Sequence, residues 1–467
     1  MFLKQQSHGL SREQREELGR SVRETVPIEA HAYLDTLGRT DPVELLEGQA
    51  ASRVPELVPL RYGRMLASPF AHLRGAALVM ASDLARAPRT GLEVQLCGDA
   101  HMSNFGVYAS PERRHVFDLN DFDETFPGPF EWDVKRLAAS LVVAARGNGF
   151  GRKQARRIAR SAAEGYRSAM TDLAGLGSLA AWYQHLDADE LVSEIGSVLD
   201  ARRQARMRST LKKHRSRDNL HALKRLTSVV DGHARIRSMP PVLVPVEEML
   251  EGAALDALYA QMDGFVHAYG RTLQPNHAHL LEQFHFVQMA RKVVGVGSVG
   301  TRAWILLLQG VDEGDPLFLQ VKEVGESVLA RYSPAPGCDD QGKRVVLGQR
   351  LLQATSDVFL GWQRAYGIDG VERDFYVRQL RDGKGSVVVE AMARDAMTYY
   401  ARVCGRTLAR AHARSGDRVA IAAYLGTTDR FDRAVGEFAD AYADLNARDH
   451  DALAEAAASG RVTAAVA

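Results

Sequence analysis

The sequence predicts an α+β protein with two lobes, a small antiparallel β-sheet lobe and a larger, mainly α-helical one. Three observations carry that expectation. Apolar residues recur at helical spacing through most of residues 11–280. From Phe284 to about Val389 short apolar runs alternate with glycine turns, the pattern of antiparallel strands. Between Leu96 and Thr125, the segment LCGDAHMSNFGVYASPERRHVFDLNDFDET gathers acidic and amide side chains and reads as an active site.

In chain order, Ser11 to Val26 predicts a capped polar helix, with Ser11 placed before Glu13 and Gln14. Residues 27–60 are interrupted by proline and weakly patterned, so 1–60 is expected to be a helical and irregular segment. Leu73 to Ala87 predicts another helix, and Arg61, Arg64 and Arg74 lie before it or at its start as possible contacts for a phosphate or substrate anion. Residues 61–175 are expected to form the catalytic-loop part of the helical lobe. They include the acidic segment, a rigid break at Pro127, Gly128 and Pro129, and a strongly apolar helix from Trp132 to Ala145 carrying Asp133, Lys135 and Arg136.

Residues 176–280 read as a helical insertion, in which Ala201 to Arg225 is an exposed helix rich in Arg and Lys. Residues 281–392 hold the expected strands: VQMARKVV, the turn GVGSVG, TRAWILLLQG, DPLFLQVKEV, DFYVRQL and SVVVEAM. A helix from about Arg344 to Gln363 sits between the third and fourth. Residues 393–467 predict helices that complete the larger lobe.

Composition sets the outer bounds. A chain of 467 residues, 46% hydrophobic and 25% charged, has the makings of one large or two ordinary cores. A net charge of +1 and a pI near 7.8 supply no general field for nucleic acid or an anionic membrane, so neither is an expected partner. Cys97, Cys338 and Cys404 are odd in number and lack CxxC pairing, which argues against a disulfide framework or a zinc site. The N-terminal residues show no signal-peptide core, and the most apolar runs, LAASLVVAA and AWILLLQG, are too short to span a bilayer. A soluble, cytoplasmic protein is the expectation; oligomeric state is not readable.

The chemistry follows from oxygen ligands. Asp99 and Asn104 lie in a glycine-containing loop, and Asp118, Asp121 and Asp123 follow the apolar pair Val116 and Phe117, which look like a buried strand delivering Asp118 to a fixed place. Mg²⁺ needs only one or two carboxylates when waters and substrate phosphates fill the remaining positions. A further carboxylate can accept a proton from an attacking hydroxyl. The competing reading is a solvated turn, since Asp and Asn are common turn residues. His101 and Asp123 are further possible contacts for a substrate or phosphate, although a histidine in such a loop more often orders backbone than binds metal. His412, on a helix with Leu408, reads as structural.

Downstream, Gly295, Gly297 and Gly300 with Ser298 form a GxGxxG turn followed by a strand rather than a helix. That context disfavours a dinucleotide fingerprint and favours a flap whose backbone amides approach phosphates. Lys322, in the middle of the apolar strand LFLQVKEV, is costly to bury without an anionic partner.

GDAHMSNFG followed by VFDLNDFD resembles the catalytic segment of the aminoglycoside phosphotransferase and choline kinase branch of the protein-kinase-like superfamily. The resemblance implies a bilobal kinase-like fold with Asp99 as catalytic base, Asn104 as metal ligand and Asp118 as the metal-binding aspartate, with Asp121 or Asp123 competing for that last role. It also implies that Asp133 braces the catalytic loop, that the glycine turn covers the phosphates and that Lys322 holds them. Cys97 stands where those kinases place histidine. The glycine turn and lysine follow the catalytic loop instead of preceding it, which a circular permutation reconciles, because CGRTLARAHARSGD resembles the helix that precedes the kinase catalytic loop. The glutamate expected to pair with Lys322 has no obvious counterpart on the intervening helix.

The stretches SPFAHLRGAA, GDAHMSNFG, DLNDFDETFPGPFEWDVKRLAAS, LQVKE, GQRLLQATSDVFLGW and LARAHARSGD also resemble the bacterial domain-of-unknown-function 2252 family, which brings no substrate with it. The resulting expectation is an ATP- and Mg²⁺-dependent phosphotransferase acting on an unidentified hydroxyl acceptor. The alternatives are a nucleotide-binding pseudokinase, a nucleotidyl transferase on the same scaffold and a metal-dependent phosphohydrolase.

Overall fold

The computed structural model describes residues 9–195, 219–293, 295–380 and 388–465. Helix α1 (Arg12–Thr25) begins where the cap predicts: Ser11 Oγ accepts the Gln14 N–H, and the Gln14 side chain returns to the Ser11 N–H. The proline-interrupted stretch is more ordered than expected. Asp41 caps α2 (Pro42–Ala50), with Pro42 in the first turn, where its missing N–H costs nothing. The single helix expected over 73–87 is two, α4 (Pro69–Gly75) and α5 (Ala77–Leu84), following α3 (Val58–Leu66) and separated by a non-helical Ala76.

Two small ladders come next. Strand β1 (Glu93–Leu96) pairs with β4 (Phe126–Pro129), and β2 (Phe105–Ala109) pairs with β3 (His115–Leu119). Leu96 lies opposite Phe126 and Phe105 opposite Leu119, so the loop between β1 and β2 and the loop between β3 and β4 emerge side by side. These are the GDAHMSN and DFDE loops. Behind them, α6 (Glu131–Gly147) and α7 (Arg152–Gly175) pack with the helices Arg394–Ala413 and Arg430–Ala458 around the largest hydrophobic core.

The second lobe is a six-stranded antiparallel sheet in the order β11, β12, β10, β9, β8, β7, made of β7 (Leu243–Pro245), β8 (His285–Lys292), β9 (Ala303–Gln309), β10 (Pro316–Glu323), β11 (Gly361–Tyr366) and β12 (Glu372–Gln379). It starts earlier than the sequence predicts. Helical patterning does not run unbroken to 280, because β5 (Thr227–Val230), β6 (His233–Ile236) and β7 interrupt it. The signal was present: Asp231 and Gly232 both take positive φ, 51° and 83°, in the two-residue hairpin that an Asp-Gly pair favours.

The helix expected over 344–363 is Gln341–Leu352. Its continuation is prevented by an extended Gln353, and Trp362 lies in β11 opposite Tyr376. SVVVEAM is not a strand where described, since Val389–Ala391 forms a 3-10 turn; residues 381–387 lie outside the described residues, as does most of the expected charged helix, 201–218. No described helix is long and apolar enough to cross a membrane.

Alternation along β10 orients the lobe. Leu317, Leu319 and Val321 enter the core that also contains Met262 and Trp304, whereas Phe318 enters the core on the opposite face. Lys322 has the parity of Phe318, so it leaves the sheet on that second face.

Candidate functional site

Asp133 assembles the first loop. Its carboxylate, on the first turn of α6, accepts the Cys97 N–H at 2.8 Å and the Gly98 N–H at 3.1 Å, with His412 Nε2 3.3 Å away. Gly98 takes φ 85°, and a Cβ there would lie 2.1 Å from the Glu124 carbonyl oxygen. Only glycine lets the two loops approach this closely. The loop then turns through Asp99, whose carbonyl accepts His101 N–H at 2.8 Å and Asn104 Nδ2 at 2.6 Å. Asn104 Oδ1 is thereby left as an acceptor. The Asn104 carbonyl in turn accepts the Asn120 N–H at 2.9 Å, tying the first loop to the acidic one.

Asp99 is gripped on one oxygen by Arg136, with Nε at 2.6 Å and Nη2 at 2.5 Å, and its side chain keeps 20% exposure. Burial raises its carboxyl above the usual aspartate value, with Arg136 acting against the rise. His101 is buried, and its Nδ1 accepts the Ser103 N–H, which places the ring proton on Nε2, 3.8 Å from Asp99 Oδ2. Burial and the nearby Arg74 and Arg136 hold the imidazole well below its usual value, so it is neutral. Its role is to order the loop.

Lys322 reaches the same place from the sheet. At 2% side-chain exposure its Nζ contacts Asp123 Oδ2 and lies 3.9 Å from Asp121 Oδ2. Asp123 also accepts the Tyr376 hydroxyl at 2.8 Å and stands 3.5 Å from Ser298 Oγ in the glycine turn. Burial would raise both carboxyls, but Lys322 and Arg378 hold Asp121 down at about 2. Asp123 goes the other way, raised by burial and by Asp121. The lysine itself is raised, since these two carboxylates outweigh its burial.

Asp118 is elsewhere. It is still a strand residue, 1% exposed, and its carboxylate faces the helix Arg394–Ala413, where it meets Arg410 Nη2 at 2.5 Å and accepts the Ala354 N–H at 2.9 Å. Asp118 is thus committed to Arg410, whereas Asp121, two residues beyond the strand's end, lies beside Lys322. Glu323 pairs with Arg302 and Arg373 and does not serve Lys322. The helix Gln341–Leu352 contributes Arg344 instead, which donates to the carbonyls of Asp123, Thr125 and Gly325 and fixes the acidic loop's backbone.

The glycine turn is pinned from the N-terminal side. Arg64 donates to the Gly295 carbonyl at 2.7 Å, Arg53 to the Val299 carbonyl, and the Val54 N–H to the Gly300 carbonyl at 2.8 Å. Arg61, expected as an anion contact, is completely buried and holds Gln49 Oε1 at 2.6 Å and the Gly75 carbonyl at 3.0 Å, with burial lowering it to about 9. It supports the helices behind the site. Arg74, lowered by burial, is the one of the three on which Asp99 and Asp121 act, together with Glu390, all opposing that burial.

Asp121, ionised and partly exposed, and Asn104 Oδ1, left free by the Nδ2 contact to Asp99, are oxygen donors of the kind Mg²⁺ takes. Among the described residues no group of three or more His, Cys, Asp or Glu side chains converges as a complete cage, so the remaining ligands would be water and phosphate.

Comparison with family models matches residues 53–456 to the family described as an uncharacterized protein conserved in bacteria (DUF2252). The chain belongs to the DUF2252 family. Comparison with curated proteins and with solved structures gives no match. The DUF2252 match begins at Arg53, so it takes in the arginine-bearing N-terminal helices together with the glycine turn they hold. Within this DUF2252 chain, Arg136, Arg344, Tyr376 and Arg378 belong to the site and were not singled out from sequence. Arg136 had a readable signal, one helical turn from Asp133. Tyr376 and Arg378 share one face of β12, but nothing local told which face met the acidic loop.

Proposed function

We propose that this chain is an ATP- and Mg²⁺-dependent phosphotransferase with a hydroxyl acceptor. The observation that carries the reading is the meeting of Lys322, Asp121 and Asp123 beside the glycine turn, with Asp99 on the adjoining loop. Phosphoryl transfer needs little more than positioning and charge neutralisation. Asp99, its carboxyl raised by burial from the usual aspartate value, is suited to take the acceptor's hydroxyl proton as the new oxygen–phosphorus bond forms and the bond to ADP breaks. Arg136 keeps its reactive oxygen aimed. Mg²⁺ on Asp121 and Asn104 would neutralise phosphate charge.

The order of parts supports a kinase-like arrangement read in permuted sequence. The glycine turn lies between β8 and β9, the lysine lies on β10, and a helix precedes β11. The helix Arg394–Ala413 ends beside β1, where Ser415 Oγ accepts the Gln95 N–H at 3.0 Å, two residues before the catalytic loop begins. One observation favours a second reading, a nucleotide-binding pseudokinase: Lys322 takes its counter-charge from the acidic loop, with no helix glutamate contributing.

The test is transfer from γ-labelled ATP with Mg²⁺ to a panel of sugars, amino alcohols and protein hydroxyls. Label transfer by the wild type and none by Asp99→Asn supports the proposal. Nucleotide binding without consumption would mean a pseudokinase, transfer of α-label a nucleotidyl transferase, and phosphoester cleavage without nucleotide a phosphohydrolase.

A further inference from the structure

We infer that Arg74 is an arginine finger supplied from within the chain, its guanidinium contacting the phosphoryl group as it passes from nucleotide to acceptor. The inference rests on the phosphotransferase reading and adds a charge that the kinase-like parts do not contain.

Arg74 sits where three segments of the site meet. The carbonyl of its neighbour Leu73 accepts Arg136 Nη2 at 2.9 Å, and the same guanidinium holds Asp99. Its own carbonyl stands 3.0 Å from where a Cβ of Gly297 would lie, which packs it against the glycine turn. That turn reaches Asp123 through Ser298. Backbone geometry thus anchors Arg74 to the proposed base on one side and the proposed phosphate flap on the other.

Its side chain is the exception among the arginines around it. Arg53, Arg61, Arg64 and Arg136 all donate to carbonyl or side-chain oxygens. Arg74 is half-buried, its Nε is shielded from water without an acceptor, and its guanidinium makes no hydrogen bond or ion pair to any described residue. The Phe70 ring lies 6.0 Å from its Cζ. Asp99, Glu390 and Asp121 act on its charge without any of them pairing with it; a shielded, unpaired donor is costly, so a chain that keeps one here has a use for an anion there. Lys322 is already neutralised by Asp121 and Asp123, whereas Arg74 has no hydrogen bond or ion pair among the described residues. A planar guanidinium fork matches two non-bridging phosphate oxygens.

In the step, the acceptor O–H gives its proton to Asp99, the acceptor oxygen bonds the γ-phosphorus, and the bond to the β-phosphate oxygen breaks to release ADP. Arg74 donates two N–H groups to the transferring phosphoryl oxygens and ends unchanged.

The test compares Mg·ADP affinity with and without aluminium fluoride, which mimics the phosphoryl group in transit, in the wild type, Arg74→Gln and Arg74→Lys. The wild type is expected to tighten by about 100-fold or more with fluoride. Arg74→Gln should bind Mg·ADP alone within about threefold of the wild type but lose the tightening, and turnover should fall by about 1000-fold. Arg74→Lys should fold and recover only a small part, because an ammonium lacks the fork. Full tightening in either variant overturns the inference, as does a wild type that binds Mg·ADP but does not tighten. A wild type that binds no Mg·ADP overturns the phosphotransferase reading itself.

Discussion

Substituting Asp118 and Asp121 separately distinguishes a site read from spacing from the site seen in the fold. Asp118→Asn keeps the side chain's shape and removes the charge facing Arg410, in a pair with side-chain exposures of 1% and 4%. Arg414 adds a second cation nearby, lowered to about 10 by burial and by Arg410. Removing one partner of such a buried pair costs about 3–5 kcal/mol, because the remaining charge is uncompensated. Unfolding entropy of about 2.1 cal/mol/K per residue gives about 1 kcal/mol/K for a 467-residue chain unfolding as one unit, so Tm should fall by about 3–5 °C. Mg²⁺-dependent nucleotide binding should be unchanged in the folded fraction.

Asp121→Asn should do the reverse. Its side chain is one-third exposed and 3.9 Å from Lys322, which retains Asp123, so Tm should move by about 1 °C or less. Mg²⁺-dependent affinity should fall at least tenfold, since losing even an outer-sphere partner of a metal ligand typically costs about 10–100-fold. Thermal melts and calorimetric titration with a non-hydrolysable ATP analogue, with and without Mg²⁺, read both quantities. Loss of Mg²⁺-dependent binding in Asp118→Asn at an unchanged melting temperature, with Asp121→Asn unaffected, would refute the placement of the metal on the acidic loop.

Asp99→Asn should lower turnover by about 100–10,000-fold, the usual scale of a lost general base, while Mg·ATP binds as before; stopped-time label transfer and titration check it. Asp133→Ala leaves the Cys97 and Gly98 N–H groups without an acceptor, and at about 1–3 kcal/mol each it should cost about 2–6 kcal/mol in urea unfolding. Glu124, which accepts the Val328 N–H at 2.7 Å, is raised by burial from 4.5 to about 7. Its folded-state pKa exceeds the unfolded one, so the wild type loses stability on its account as pH rises from 4.5 to 7 and none beyond. Glu124→Gln should therefore gain in urea midpoint over the wild type between pH 5 and pH 7.5, and an equal difference at both pH values would count against a raised Glu124.

Much of the site was legible because its chemistry is local. Asp99, Asn104 and Asp133 lie within 35 positions of one another on one loop and a helix start, and the Gly98 backbone and the Asp133 carboxylate are in contact, as the kinase resemblance implied. Lys322 was legible for a different reason, since a cation inside an apolar strand demands an anion. The choice among Asp118, Asp121 and Asp123 was not legible. Asp118 lies in β3 and the other two follow it, and period-2 alternation says only that Asp118 lies opposite in direction to Phe117 and Leu119.

Which side of β3 meets the helix carrying Arg410 depends on a contact 292 positions away, and which part of the acidic loop meets Lys322 depends on one 199 positions away. The sequence by itself determined the residue types, the two textures of the chain and the loops that hold the oxygen donors, because those follow from local periodicity and turn chemistry. Tertiary structure alone decided that Asp118 pairs with Arg410 in the core while Asp121 lies beside Lys322, and that Arg61 is buried support while Arg74 keeps its guanidinium unpaired among the described residues. Charge pairing is a property of distance in space, and distance along the chain carries no record of it.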